Sequence, residues 1–393
     1  MNWFKKKRIF LDYASATPLL PEVKKVMERY WSKDFYNASG IYEESLLVKK
    51  KIEESRTSVA RTLGLTSSGI VFTASGTESD NLAILGAFES ARKSIKKPHI
   101  IVSAIEHPAV MSSALEVERR GGELSILDVD EYGKVSPEAL RKLLKENTFL
   151  VSIGLANNEI GIIEPLAKVG RIIREYRKNN ESEYPYLHSD ASQAPSYLSL
   201  NLESLQTDLM TLDGAKIYGP KGIGVLALRK SVKIHPVIFG GGQEGSRRSG
   251  TLSPSLVSGF ALALHIAQKD MEKESRRLET LRKYFIEEIE RRLPSAVING
   301  FKDKSLPNIV SVSLPNTLSE FVLLKLDKEG VMASPGSVCS LDGITSGSSV
   351  IRALGKSELA ESTIRFSFGR PTTKKDIEKA LNIFCRIAKP VLK

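Results

Sequence analysis

From about Ile70 to Leu228, short apolar runs alternate with longer stretches in which apolar residues return every three or four positions. The runs GIVFTA (69–74), HIIVSA (99–104), ELSILDV (123–129), TFLVSIGL (148–155), YLHSDA (186–191) and DLMTL (208–212) have strand length and read as buried strands. GIGVLAL (222–228) reads the same way. Between most of them lie helical patterns, among them TESDNLAILGAFESARKSI, PAVMSSALEVERRG and PLAKVGRIIREYRKN. Strands alternating with helices predict an α/β fold with a mainly parallel sheet covered on both faces. Ligands on such sheets sit in the loops at the carboxyl ends of the strands.

A long helical pattern then runs from about Pro254 to Leu293, with apolar positions at Leu256, Phe260, Leu264 and Ile266. It bridges to a second set of elements. NIVSVSLP and STIRFSFG read as strands, LSEFVLLKLDKEG as a helix ending at Gly330, and residues 373–389 as a closing helix. No internal repeat or low-complexity linker interrupts the chain.

The length of 393 residues fits two domains, and 41% apolar residues is ordinary for a globular protein. No apolar run approaches the ~20 residues of a membrane helix. The basic start MNWFKKKRIFLD lacks the apolar core of a signal peptide, so a cytoplasmic location is expected. Two cysteines, Cys339 and Cys385, exclude a disulfide scaffold and a cysteine-rich zinc site. Cys385 lies among apolar residues on the closing helix and reads as core. The formal charge of +11 is scattered, as in KKKR (5–8) and KKK (49–51), without an aromatic-interleaved stripe. No direct nucleic-acid partner is expected on that basis.

Candidate chemistry recurs at the ends of successive strands. After GIVFTA, a small-residue turn enters a helix at Thr77, which offers free backbone N–H groups to an anion. The same residues also make an ordinary capped helix start. His107 follows the second strand, Asn157 and Asn158 a later one, and Asp190 and Gln193 the one after. DLMTL leads to Lys216. Singly each residue has a structural reading, but strand ends of one sheet converge on one crevice. A lysine, an aspartate, a histidine and an anion site suit pyridoxal phosphate: the amine binds the aldehyde, the carboxylate keeps the ring nitrogen protonated, and the helix end takes the phosphate. Spacing alone leaves this as one option among several.

The motifs FLDYASATP, FTASGTESDN, EHPAV, NNEIG, HSDASQA, GAKIYGPKGIG, GGGQEGSRRSGT, GSVCS and IRALGKSELAESTIRFSFGRPTT run in order along nearly the whole chain. Together they resemble the cysteine desulfurases, pyridoxal-phosphate enzymes of the class V aminotransferase group. The resemblance implies a fold-type-I architecture: a seven-stranded, mainly parallel sheet flanked by helices (15–262), with a smaller α+β domain from 1–14 and 263–393. It implies that Lys216 binds the cofactor covalently and moves protons at the substrate's α-carbon. Asp190 would pair with the ring nitrogen, Gln193 contact the ring oxygen, and His107 stack on the ring and act as a catalytic acid/base. Gly76 and Thr77 would hold the phosphate, and Thr251 would reach the phosphate of a partner subunit in a homodimer. Asn158 and Arg365 would hold the substrate carboxylate. Cys339, in the Gly/Ser-rich SPGSVCSLDGITSGSS, would take sulfur from L-cysteine, leaving L-alanine, and pass it to an iron–sulfur scaffold or a tRNA-thiolating enzyme.

The sequence departs from that family at several positions. Asp213 and Ala215 stand where a serine and a histidine usually donate to the phosphate. An ionised carboxylate cannot donate and repels a phosphate. The phosphate turn reads Ala74-Ser75-Gly76-Thr77 instead of Ser-Gly-Ala-Thr, and Tyr13 and Tyr42 replace a common asparagine and histidine. Two alternatives follow: a degenerate relative acting as a binding or scaffold protein, and a selenocysteine lyase or aminotransferase. Cys339 argues against a simple aminotransferase, which needs no thiol.

Overall fold

A computed structural model describes residues 8–301, 303–336 and 347–390. The chain opens with β1 (Ile9–Phe10), α1 (Pro21–Ser32) and α2 (Glu43–Leu63). It continues with β2 (Ile70–Thr73), α3 (Gly76–Ala91), β3 (His99–Ser103), α4 (Pro108–Arg119), β4 (Glu123–Leu127), α5 (Pro137–Leu143) and β5 (Thr148–Ser152). Next come α6 (Leu166–Asn179), β6 (Tyr186–Asp190), α7 (Leu202–Leu205), β7 (Leu209–Asp213), β8 (Gly224–Leu228) and α8 (Pro254–Arg292). The remaining elements are β9 (Val297–Asn299), β10 (Ile309–Ser313), α9 (Ser319–Lys328), β11 (Val331–Met332), β12 (Ser334–Pro335), α10 (Ser349–Ala353), β13 (Thr363–Ser367) and α11 (Lys374–Ala388).

Seven strands form the main sheet in the order β2-β8-β7-β6-β5-β3-β4. Only β8 runs against its neighbours, antiparallel to both β2 and β7. The other six point the same way, so their carboxyl ends share one edge. Alternate residues of each strand face opposite sides. Val225 and Ala227 enter one core with α2, α6 and α8, while Leu226 enters another with α3 and α4. Burial on both faces explains the unbroken apolar runs read from the sequence. ELSILDV is the exception. It was expected to be buried, yet β4 closes the sheet at an edge and Ile126 is 39% exposed.

A second sheet has four antiparallel strands in the order β12-β13-β10-β9. Its core gathers Phe285 of α8, Phe366, Phe368 and Phe384, with ring centroids 5.0–5.4 Å apart. Cys385 is buried in it. β1 pairs in parallel with β11, and Asp12 bridges to Ser367, which ties the N-terminal segment to the C-terminal elements. α8 serves both cores: Val257, Phe260 and Leu264 pack in the first, Leu278, Leu281 and Phe285 in the second. Its start is marked by Ser253, whose hydroxyl accepts from Leu256 N, with Pro254 at the first helical position.

Candidate active site

The site is assembled by turns that leave the shared edge of the main sheet. β2 ends at Thr73, and Ser75 caps α3, its hydroxyl accepting from Glu78 N at 3.2 Å. Glycines allow the close approach. A Cβ on Gly224 would come within 2.4 Å of the Ser75 carbonyl carbon, and one on Gly76 within 3.1 Å of Ser192 Oγ.

Lys216 is delivered by a clamped loop. β7 ends in Asp213 and a single 3₁₀ turn carries Gly214–Lys216. Thr17 grips this turn from the N-terminal segment: its hydroxyl donates to Ala215 O at 2.9 Å and accepts from Tyr218 N at 2.7 Å. Gly214 is packed so closely that a Cβ would lie 2.5 Å from Pro220 O. Lys216 Nζ donates to Ser15 O at 2.5 Å. Burial lowers the Lys216 pKa, and Arg365 adds to this, while Asp213, Asp190 and Asp12 oppose it.

A pocket of about 190 Å³ lies above these turns. Gly76, Thr77, His107 and Asn158 line it, as do Asp190, Gln193 and Lys216. Asp190 Oδ1 accepts from Ser192 N at 2.9 Å, and Gln193 Nε2 donates to Ala14 O at 2.9 Å. His107 caps α4, its Nδ1 accepting from Ala109 N at 3.1 Å. Asp80, His107 and Asp190 each bring a polar atom within 4.8 Å of the other two. Asn157 is spent on structure, since its Oδ1 accepts from Glu159 N and Ile160 N.

Three expected site residues stand apart from this lining. Arg365, on β13, is buried beside the pocket; it donates to Asn158 O at 2.9 Å, Asp12 Oδ1 at 2.7 Å and Ser15 Oγ at 2.7 Å. Its Nε has no partner among the described residues. Thr251 is exposed on a separate recess shared with Ala74 and Arg248. Cys339 lies outside the described residues.

The pocket also holds acids that sequence reasoning did not single out as site residues. Asp80 is 1% exposed; burial pushes its carboxyl well above the ordinary range, and Asp190 adds to this. Burial raises Glu106 to about 7, although Ser103 Oγ and Gly154 N both donate to it. Burial raises Glu164 to about 8, with Val135 N donating at 3.1 Å. A lone acid in an apolar stretch, as in IGIIEPL, was the signal available for Glu164. Behind the pocket, His188 is fully buried between Ser152 Oγ at 2.8 Å and Thr211 Oγ1 at 3.1 Å, and burial lowers it to about 3. It is a neutral strut.

Known proteins resemble this chain along nearly its whole length. Residues 9–380 match the family described as "Aminotransferase class-V". A protein named cysteine desulfurase IscS from Dictyoglomus turgidum is 40% identical over 97% of this chain and 95% of its own. One of the same name from Methanosarcina thermophila is 37% identical, over 96% and 91%. A solved structure described as a NifS-like protein superposes with a TM-score of 0.89 at 31% identity, covering 97% of this chain and 99% of its own. Another, described as SspA in complex with cysteine, has a TM-score of 0.78 at 30% identity, covering 91% and 98%. The fold, a seven-stranded main sheet with smaller sheets beside it, is the fold-type-I architecture expected from the motifs, and the chain belongs to the class-V aminotransferase family.

Proposed function

We propose that the pocket binds pyridoxal phosphate and that the chain is a cysteine desulfurase. The observation that carries this reading is convergence: a lysine with lowered pKa shares one small pocket with Asp190, Gln193 and His107. A lowered pKa favours the free amine that an aldehyde needs. The names of the relatives support the same activity.

The residues fit the ring of such a cofactor. Asp190 would hold the proton on the ring nitrogen, Gln193 would meet the ring oxygen, and His107 would cover one face. Thr77 would offer the start of α3 to the phosphate, while the Gly76 amide, expected to share that role, donates to Asp213 Oδ2, and Thr251 would serve the partner's site in a homodimer. When bound, the cofactor supplies an electron sink for bond changes in the amino acid. Lys216 would move the proton at the α-carbon of L-cysteine. Asn158 and Arg365 would hold its carboxylate, for which a guanidinium fork is suited.

Cys339 would attack the sulfur of the substrate. The carbon–sulfur bond breaks, a sulfur–sulfur bond forms on Cys339, and the thiol proton is retained in the products, L-alanine and the enzyme persulfide. A thiol or scaffold protein that builds iron–sulfur clusters or thiolates tRNA would then take the sulfur. Among the described residues no helix is long and apolar enough to cross a membrane. A cytoplasmic location belongs to the same proposal.

The test is direct. Purified protein supplied with pyridoxal phosphate should form alanine from L-cysteine, and Cys339→Ser should stop it. Full-rate alanine release by Cys339→Ser would remove the thiol from the mechanism.

A further inference from the structure

The start of α3 and the Lys216 turn face each other, and Asp213 stands between them. Both of its carboxylate oxygens are engaged. Oδ1 accepts from Ala215 N at 2.7 Å, and Oδ2 accepts from Gly76 N at 3.2 Å. Gly76 is the first residue of α3, so its amide is one of the free donors that make a helix start an anion site. The contact is close: a Cβ on Gly76 would meet both Cβ and Oδ2 of Asp213 at 3.2 Å. The chain's own anion therefore already uses the donor that a phosphate would take.

Among the described residues, no side chain donates a hydrogen bond to Asp213; its two donors are the backbone amides of Ala215 and Gly76. Ala215 has no donor side chain. Glu78, in the first turn, brings a second carboxylate, whose oxygens accept from Ala74 N at 2.8 Å and pair with Arg248 Nε at 2.7 Å. Arg248 is thereby committed to Glu78. Lys216 is the cation that Asp213 does influence, and its amine is the group that must become neutral to bind an aldehyde.

We infer that Asp213 sets the selectivity of this site against the anionic arm of its cofactor, by filling the helix-end donor that the phosphate needs. The inference rests on the pyridoxal reading of the pocket. It makes the ring and aldehyde, not the phosphate, the main source of affinity. Pyridoxal and pyridoxal phosphate then compete for the site on nearly equal terms.

The experiment titrates cofactor-free protein with pyridoxal phosphate and, separately, with pyridoxal, which lacks the phosphate. The readout is the absorbance of aldehyde bound to Lys216, in the wild type, Asp213→Ser and Asp213→Asn. Serine can still accept from Ala215 N, so the turn keeps its cap. Asparagine keeps the shape, and answers the question if the serine variant does not fold. Wild type should bind the two aldehydes within about tenfold; a change in the Lys216 amine acts on both alike, so removing the like charge should raise the preference for pyridoxal phosphate over pyridoxal by roughly 10–100-fold. An unchanged or lower preference for pyridoxal phosphate in both variants overturns the role of Asp213 and leaves the cofactor reading standing. Absence of the band with either aldehyde, in every protein, overturns the cofactor reading and this inference with it.

Discussion

Lys216 and Arg365 are tied to one residue: Lys216 Nζ donates to the Ser15 carbonyl at 2.5 Å, and Arg365 donates to the Ser15 hydroxyl at 2.7 Å. The two cations sit near each other although they come from different sheets. Burial is the main cause of the lowered Lys216 pKa, with Arg365 adding to it and Asp213 opposing it. Removing the Arg365 charge should therefore move the pKa up, and removing the Asp213 charge should move it down. The check is the pH dependence of adduct formation between cofactor-free protein and pyridoxal. The midpoint should rise in Arg365→Met and fall in Asp213→Asn. Shifts of the opposite sign would mean that these charges do not control the amine.

The Arg365 guanidinium also divides its fork among Asp12, Ser15 and Asn158. A lysine carries one compact ammonium and cannot reproduce three contacts from two separate nitrogens. Arg365→Lys should raise the KM for L-cysteine by about 10–100-fold, the effect of roughly 1.4–2.8 kcal/mol of lost binding. Steady-state kinetics across substrate concentration will measure it. An unchanged KM would place carboxylate recognition elsewhere.

Much of this site was legible from strand ends. Lys216, Asp190, Gln193 and His107 each follow a strand of one sheet, and a parallel sheet delivers such residues to one edge. Burial of a carboxylate was less legible. Asp80 lies in the second turn of α3 and was not singled out as a site residue in the sequence, yet its side chain turns inward beside His188. The strand period identified ELSILDV without revealing that it lies at an edge, because an edge position depends on strand order. α1 and α2 were not read at all. Their apolar residues Val23, Met27, Val48 and Ile52 are diluted by many charges, and only packing against the main core shows their inner face. The expected partner role of Thr251 depends on a second chain, which one sequence does not display.

The loop that carries Thr251 is anchored by a buried ion pair. Glu244 has a fully buried side chain and pairs with Arg56 through both oxygens, at 2.6 and 2.8 Å. One of those oxygens also accepts from Phe72 N at 2.7 Å, beside the turn into α3. Glu244→Ala would leave the Arg56 charge without this partner and the Phe72 amide without an acceptor. Breaking a buried pair from one side costs about 3–5 kcal/mol. Urea unfolding should show a loss of that order, and a change under about 1 kcal/mol would refute the anchoring role.

Glu164 should make stability fall as pH rises. Its side chain is buried, one oxygen accepts from Val135 N, and the other has no partner among the described residues. Burial, reinforced by the nearby Glu106, raises it from 4.5 to about 8. The folded chain then keeps a proton that the unfolded chain releases above its ordinary pKa. Where the native state binds more protons, stability declines with rising pH. The decline attributable to Glu164 spans the interval from 4.5 to about 8, and Glu106 adds a parallel one from 4.5 to about 7. Glu164→Gln cannot ionise and keeps an oxygen for the Val135 N–H. Any cost of fitting the amide is the same at every pH, so the slope is the measure. Urea midpoints of cofactor-free protein at acidic and mildly alkaline pH avoid a contribution from cofactor binding. The stability of Glu164→Gln relative to wild type should grow by about 2–4 kcal/mol from the acidic to the alkaline condition. Parallel pH profiles for the two proteins would show that Glu164 is ionised in the folded chain.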